Sequence, residues 1–377
     1  GRAVVNYGAT SGHPAARIKL MHGIDAGQLA LPNKELQEAM RQPSPDYSHK
    51  AATAEQIEHL QDLIEQGLDE GGLGIGMGIT YTPAATHAEI LRVFETAAKR
   101  GVPVFVHLRA NSAFGEKSAV GPFQEVIADA AATGAALHIV HLNSSADEDA
   151  RVCLGMIRGA RERGLDVTTE TYPYTAGSTR LESALFDDWP EQNGERYDQL
   201  QWIATGERLT KETYDKYRKQ GGWVIIHGRS EDTMEWILAQ PDVMIASDGI
   251  PFIGGASHPR GAGTFSRVLG HYVRERGLGT LPEAIAKMTI QPARRLEAVA
   301  PAMKRKGRIE EGADADITIF DPGHVLDRAT YESPAQNSTG IVDVLVGGVF
   351  VIRDGAEIAG TFPGQAILGE RRKNAAR

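Results

Sequence analysis

Three side chains stand where metal or proton chemistry can be built: His107, His141 and Asp248. His107 closes the run Val102-Pro-Val-Phe-Val-His107, His141 closes Ala136-Leu-His-Ile-Val-His141, and Asp248 follows Val243-Met-Ile-Ala-Ser247 and precedes Gly249. Each ends a stretch that reads as a buried parallel strand, and in a βα barrel the C-terminal strand ends form the mouth where active sites lie. Imidazoles from neighbouring strands can share one borderline divalent ion such as zinc, and a carboxylate beside them can join the metal or take a proton from water. Each residue also has a plainer reading, as a hydrogen-bonded structural histidine or an aspartate in a turn. Strict alternation sends His138 and His141 to opposite faces, so one of the two is expected inward.

The elements that would position these groups follow a βα rhythm. Apolar runs at residues 4–9, 73–79, 102–107, 136–142, 165–172, 223–227 and 243–247 alternate with helical patterns and read as parallel strands covered by helices. Thr53-Ala-Glu-Gln56 and Thr86-His-Ala-Glu89 are capping boxes opening two of those helices; residues 147–163 and 230–238 are further helix candidates. Seven such strands favour a barrel over a doubly wound sheet. The glycines of Gly72-Leu-Gly-Ile-Gly-Met-Gly78 alternate with apolar residues inside a strand, which suits close packing rather than a phosphate loop. Residues 175–222 break the rhythm with Trp189, Tyr197, Trp202, Tyr214 and Tyr217, and read as an insertion over the mouth or a solvated helical excursion. After residue 303 short strands at 315–320, 342–346 and 349–352, with Gly347-Gly348 as a hairpin turn, mark a small β portion running to residue 377.

Composition narrows the function classes. With 40 Lys+Arg against 49 Asp+Glu the net charge is −9, and without a basic stripe nucleic acid is a poor partner. No apolar run approaches about 18 residues, so no spanning helix is expected. The single cysteine, Cys153, excludes an internal disulfide or an all-cysteine metal cluster and fits a reducing, cytoplasmic setting.

Several motifs in one order carry a resemblance: Gly12-His13, Val106-His-Leu-Arg109, Ile139-Val-His141, Thr171-Tyr-Pro-Tyr-Thr-Ala-Gly-Ser-Thr179, Ala246-Ser-Asp-Gly249, His258-Pro-Arg260, residues 263–270 and Ala313-Asp-Ala-Asp-Ile317. Together they resemble the N-acyl-D-amino-acid deacylases of the amidohydrolase superfamily. The resemblance implies an α/β fold, an incomplete (β/α)8 TIM barrel over residues 1–303 with a small C-terminal β-sandwich portion over 304–377. It implies one or two Zn²⁺ ions, or another divalent metal, held by His107 and His141 with Asp248 near the metal as proton shuttle. Tyr172 and Ser178 would then line the substrate site, with Tyr172 steadying the developing oxyanion. Arg109 would orient a ligand, or serve as a buried ion pair.

Departures from the family pattern set further expectations. The first-strand His-x-His and the cysteine after strand two are absent from this sequence, so the metal shell and the barrel require a missing N-terminal segment or a second chain, in a heteromer or higher oligomer. The family's lysine two residues after the strand-six histidine is replaced by Asn143, which offers a neutral hydrogen bond where a charge-assisted one would be about 1.5 to 3 kcal/mol; Arg180 is a candidate to compensate. Ala110-Asn111 replaces an acidic pair. The resulting expectation is a zinc-dependent hydrolase of a small-molecule amide, with neutral or cyclic amides, carbamates, or a noncatalytic barrel subunit as alternatives.

Overall fold

The computed structural model describes residues 2–25, 38, 45–110 and 118–370. Asn111 and residues 371–377, whose tail is expected to be loose from its charged, alanine-rich composition, lie outside the described residues. Five strands open the chain: β1 (Ser11–Gly12), β2 (Ile75–Gly78), β3 (Val104–His107), β4 (Leu137–Ile139) and β5 (Val167–Thr171). Helices follow them, including His13–His22, Ala54–Asp69, His87–Arg100, Val120–Thr133 and Ala150–Glu162. The chain then leaves this sheet to build β6 (Gly177–Arg180), β7 (Leu200–Trp202) and β8 (Trp223–Ile226), and returns as β9 (Met244–Ile245). The sheet order is β1-β2-β3-β4-β5-β9, and every neighbouring pair is parallel. Among the described residues no helix is long and apolar enough to cross a membrane.

Local chemistry accounts for the helices. Thr53 Oγ1 accepts from the Gln56 amide at 3.2 Å while Gln56 Oε1 accepts from the Thr53 amide at 2.9 Å, the expected reciprocal cap. The box at Thr86 is only half made. Thr86 Oγ1 takes the Glu89 amide, but the Glu89 carboxylate turns inward to Arg17 at 2.6 Å and His13 at 2.8 Å, a fully buried ion cluster. Leu60 and Ile64 from one helix, Ile90 and Phe94 from the next and Phe123 from the third pack on Ile75, Val104, Val106, Leu137 and Ile139 of the sheet, all essentially unexposed. At roughly 1.5–3 kcal/mol per large apolar side chain, this layer fixes the strands and therefore what their ends present.

Three strand expectations change. Residues 4–9 form no strand of the sheet; they hold a single parallel bridge, Tyr7 to Ala366, and the first strand begins at Ser11. The apolar run at 223–227 is a strand, but it pairs antiparallel with β6 and β7, outside the parallel sheet. Its Val224 packs with Leu181, Phe186, Leu200, Trp202, Tyr214 and Tyr217, so the excursion has an aromatic core of its own and extends past residue 222. The C-terminal region forms one four-stranded antiparallel sheet, β10 (Ile317–Phe320), β11 (Ile341–Val346), β12 (Val349–Arg353) and β13 (Ala356–Glu357), with Gly347 and Gly348 at φ 56° and 80° in the tight turn. A single sheet, rather than a two-layer sandwich, is what the described residues display here.

Candidate active site

The C-terminal ends of β3, β4, β5 and β9 open into a cavity of about 830 Å³, within the range of small-molecule sites. His107, His141, Tyr172, Ser178, Arg109, Arg180 and Asp248 all line it. His107 is the last residue of β3; because Val104 and Val106 point into the helix layer, Phe105 and His107 point the other way. β4 ends at Ile139, and His141 takes a left-handed backbone at φ 39°, as does Asp248 at φ 48° beyond β9. Non-glycine residues pay about 1–2 kcal/mol for that conformation, and of the five described residues that adopt it, His141, Asp147 and Asp248 line the cavity.

Of His138 and His141 only the latter lines the cavity, as alternation leads one to expect. The two converge on one carboxylate: Glu170 Oε2 meets His138 Nε2 at 2.6 Å, and Glu170 Oε1 accepts from the His141 backbone amide at 2.7 Å. Burial alone would raise Glu170, but His138 and the His141 amide hold its carboxyl below the usual range. His141 Nδ1 lies 3.0 Å from Ser145 Oγ, which orients the ring, and His141 Nε2 faces His107 Nδ1 at 2.9 Å. Burial pushes His141 down to about 4 and, with the neighbouring His141 ring, lowers His107 well below the ordinary histidine value, so both are neutral near pH 7. Two neutral imidazoles with converging nitrogens have the donor chemistry of a zinc site. Among the described residues no group of three or more His, Cys, Asp and Glu side chains gathers around one point, so Asp248 is not drawn into a shared ligand set with them.

Asp248 instead pairs with Arg260, Oδ2 to Nη1 at 2.8 Å. Desolvation at the cavity raises its carboxyl although the side chain is 37 % exposed, and the Arg260 charge opposes that rise. The Arg260 guanidinium also lies 4.7 Å from the centre of the Tyr172 ring. Tyr172 is 1 % exposed and its hydroxyl is buried without a partner.

The remaining sequence-predicted residues divide. Ser178 lines the cavity, donating from Oγ to the Val224 carbonyl at 2.9 Å. Arg180 also lines it, but its charge is met by Glu182 at 2.5 Å. Arg109 is a buried structural clamp: it grips Glu125 through Nε and Nη2 at 3.0 and 2.8 Å and donates to the Pro83 and Ala85 carbonyls. Asn143 stands outside the cavity lining; its amide donates to the carbonyls of Tyr172 and Tyr174 at 3.2 and 3.4 Å and so braces the loop that carries Tyr172. Cys153 is a buried core thiol, as its helical position implies.

Sequence reasoning passed over Glu170, Arg229 and Arg260. Glu170 sits between threonines in an otherwise ordinary strand. Arg229 lies three residues beyond the end of β8, a positional signal obscured by assigning that strand to the parallel sheet. Arg260 was visible as part of His258-Pro-Arg260, without an indication of its partner.

Residues 47–352 match the model of the amidohydrolase family. A D-aminoacylase of Alcaligenes xylosoxydans xylosoxydans is 32% identical over 324 residues, which are 81% of this chain and 64% of the relative. An N-acyl-D-glutamate deacylase of the same organism is 33% identical over 329 residues, 83% of this chain and 64% of the relative. Among solved structures, N-acyl-D-glutamate deacylase from Bordetella bronchiseptica, complexed with zinc and a phosphonate inhibitor that mimics the tetrahedral intermediate, superposes with a TM-score of 0.76 at 30% identity, covering 97% of this chain and 72% of that one. A D-aminoacylase with a binuclear metal centre superposes with a TM-score of 0.75 at 27% identity, covering 98% and 72%. The chain thus spans about 64% of the length of the curated relatives it matches. With the parallel α/β sheet, the strand-end histidines and these matches together, the chain belongs to the amidohydrolase family.

Proposed function

We propose that this chain carries the greater part of a zinc-dependent deacylase site, cleaving the amide of an N-acyl-D-amino acid. The observation that carries the reading is the convergence of His107 Nδ1 and His141 Nε2 at 2.9 Å in a cavity that Asp248 and Tyr172 also line. The relatives supply the substrate class and the metal. His107 and His141 would hold one zinc ion, with a second divalent ion beside it as an option the binuclear relative supports. Zinc in such a place acidifies water and polarises an amide carbonyl.

The chain's own groups supply the rest. Asp248, whose raised carboxyl is suited to carrying a proton, accepts one from water at Oδ and returns it to the departing amine. The Tyr172 hydroxyl, buried with no competing partner, donates to the carbonyl oxygen as charge develops there. Ser178 and residues of the three-stranded excursion line the cavity. Ser145 and Glu170 orient His141 from behind.

Three structural proposals accompany this reading. The six parallel strands belong to a (β/α)8 barrel, and the C-terminal sheet is one leaf of a β-sandwich. The further metal ligands and strands come from sequence outside the described residues, as a preceding segment or a second polypeptide in a heteromer. The setting is cytoplasmic, in keeping with a lone buried thiol.

Metal analysis of the purified assembly, with a screen of N-acyl-D-amino acids, N-acyl-L-amino acids and neutral amides, tests the reading. Bound zinc and cleavage of the D-series are expected. A metal-free protein that cleaves none of them, alone or with added zinc, overturns it.

A further inference from the structure

We propose that Arg229 is the cation that receives the substrate carboxylate in this site. The inference rests on the deacylase reading and assigns the anion-binding half of the same cavity.

Most of the cavity's positive charges are already met by carboxylates. Arg109 is neutralised by Glu125, Arg180 by Glu182 and Arg260 by Asp248. Arg196 has only the neutral side-chain amide of Gln199 beside it. Arg229 donates from Nη2 to Ser144 Oγ at 2.9 Å, and its Nη1 is buried without a partner. Among the described residues no carboxylate pairs with it. A buried guanidinium nitrogen that donates to nothing is costly, and an accepting anion removes that cost.

Position supports the same assignment. Gly177 opens β6, and a Cβ there would fall 2.9 Å from Arg229 Nη1, 3.0 Å from Nη2 and 3.3 Å from the Tyr172 hydroxyl. The absence of a side chain at 177 therefore lets the guanidinium and the phenol approach one another. Arg229 lines the same cavity as His107, His141, Asp147 and Asp248. In an N-acyl amino acid the carboxylate carbon is two bonds from the amide nitrogen. An acid gripped by Arg229 therefore lays its amide alongside Tyr172. Ser144 follows Asn143 directly, so Arg229 brings its charge from the β8 side to the segment where the family pattern has a lysine and this chain has none.

The test compares N-acetyl-D-leucine with its carboxamide on the zinc-loaded, full-length enzyme, reading kcat/KM and equilibrium binding by calorimetry. Arg229→Gln is expected to reduce the preference for acid over carboxamide about 10- to 100-fold in both readouts. Arg229→Lys, which keeps a point charge but not the planar fork, is expected to fall between, and it carries the test if the glutamine variant does not fold. An unchanged acid-to-carboxamide ratio in either folded variant overturns the assignment while leaving the hydrolase reading intact. A wild-type enzyme that binds the acid through Arg229 yet cleaves neither compound overturns the deacylase reading and leaves the anion role standing.

Discussion

Glu170 holds His141 by its backbone rather than its ring, Oε1 accepting the His141 amide at 2.7 Å while Oε2 is tied to His138. The bond falls on a residue whose backbone is left-handed, so the carboxylate helps keep the imidazole turned toward His107.

Replacing Glu170 with Gln removes the charge that answers the backbone amide and His138 together. The expected result is a loss of about 1–3 kcal/mol in stability and roughly tenfold weaker zinc binding. Chemical denaturation and a competitive zinc titration measure the two; zinc affinity equal to wild type would show that Glu170 does not orient the ligand.

His107→Ala, His141→Ala and Asp248→Ala in the complete assembly should each lower kcat by at least about 100-fold. The histidine variants should also lose bound zinc, while the aspartate variant retains more of it, because Asp248 faces Arg260. Metal content measured alongside turnover separates the roles, and normal hydrolysis by all three would remove the site assignment.

Arg109 should behave as a structural residue. Arg109→Ala leaves the Glu125 carboxylate, 5 % exposed, without its guanidinium, and breaking such a pair costs about 3–5 kcal/mol. A paired Arg109→Met, Glu125→Leu change should recover most of that loss. A thermal midpoint unchanged by Arg109→Ala, combined with a raised KM, would point to substrate contact instead.

Asp129 supplies a pH-dependent test away from the cavity. Burial, reinforced by Glu125 one turn earlier, raises its carboxyl to about 6, and its Oδ2 has no partner. The native state therefore binds the proton more tightly than the unfolded chain. Its favourable contribution is present below the ordinary value of about 3.8 and is lost as pH rises through 6. Asp129→Asn should gain about 1 kcal/mol at pH 7.5 after allowance for partial exposure, with no gain near pH 3.5. Denaturation at the two pH values reads the difference, and an equal effect at both would contradict the assignment.

Much of this was legible in residue order, for definable reasons. His107 and His141 could be placed at strand ends because Val104, Val106, Leu137 and Ile139 form short apolar runs with clear stops, and the same residues are buried against the helices. The Thr53 box was legible because both its partners are local. Thr86 misled because Glu89 finds Arg17 and His13, more than seventy residues away, a competitor that local spacing does not reveal. The run Trp223–Ile226 was correctly extended but wrongly paired: apolar alternation marks a strand, while its neighbours are chosen by tertiary packing against Leu200 and Trp202. Asn143 was misplaced because a backbone carbonyl competes for an amide as effectively as a ligand does, and Tyr172 and Tyr174 offer two.

The three-stranded excursion leaves the main sheet after Thr171 and returns at Met244, and Thr171 is the register partner of Ile245. Its two feet are thus planted on adjacent strands, about 4.8 Å apart, and its interior is sealed by its own aromatic cluster. The part from Leu181 to Val224, whose core is its own, is a cassette that can be lengthened, shortened or traded with little mechanical demand on the frame beneath. Tyr172 before it and Arg229 and Ile237 after it are instead tied to the site and the main core. Variation in what the cavity accepts can accumulate in this cassette while the imidazole pair below stays as it is.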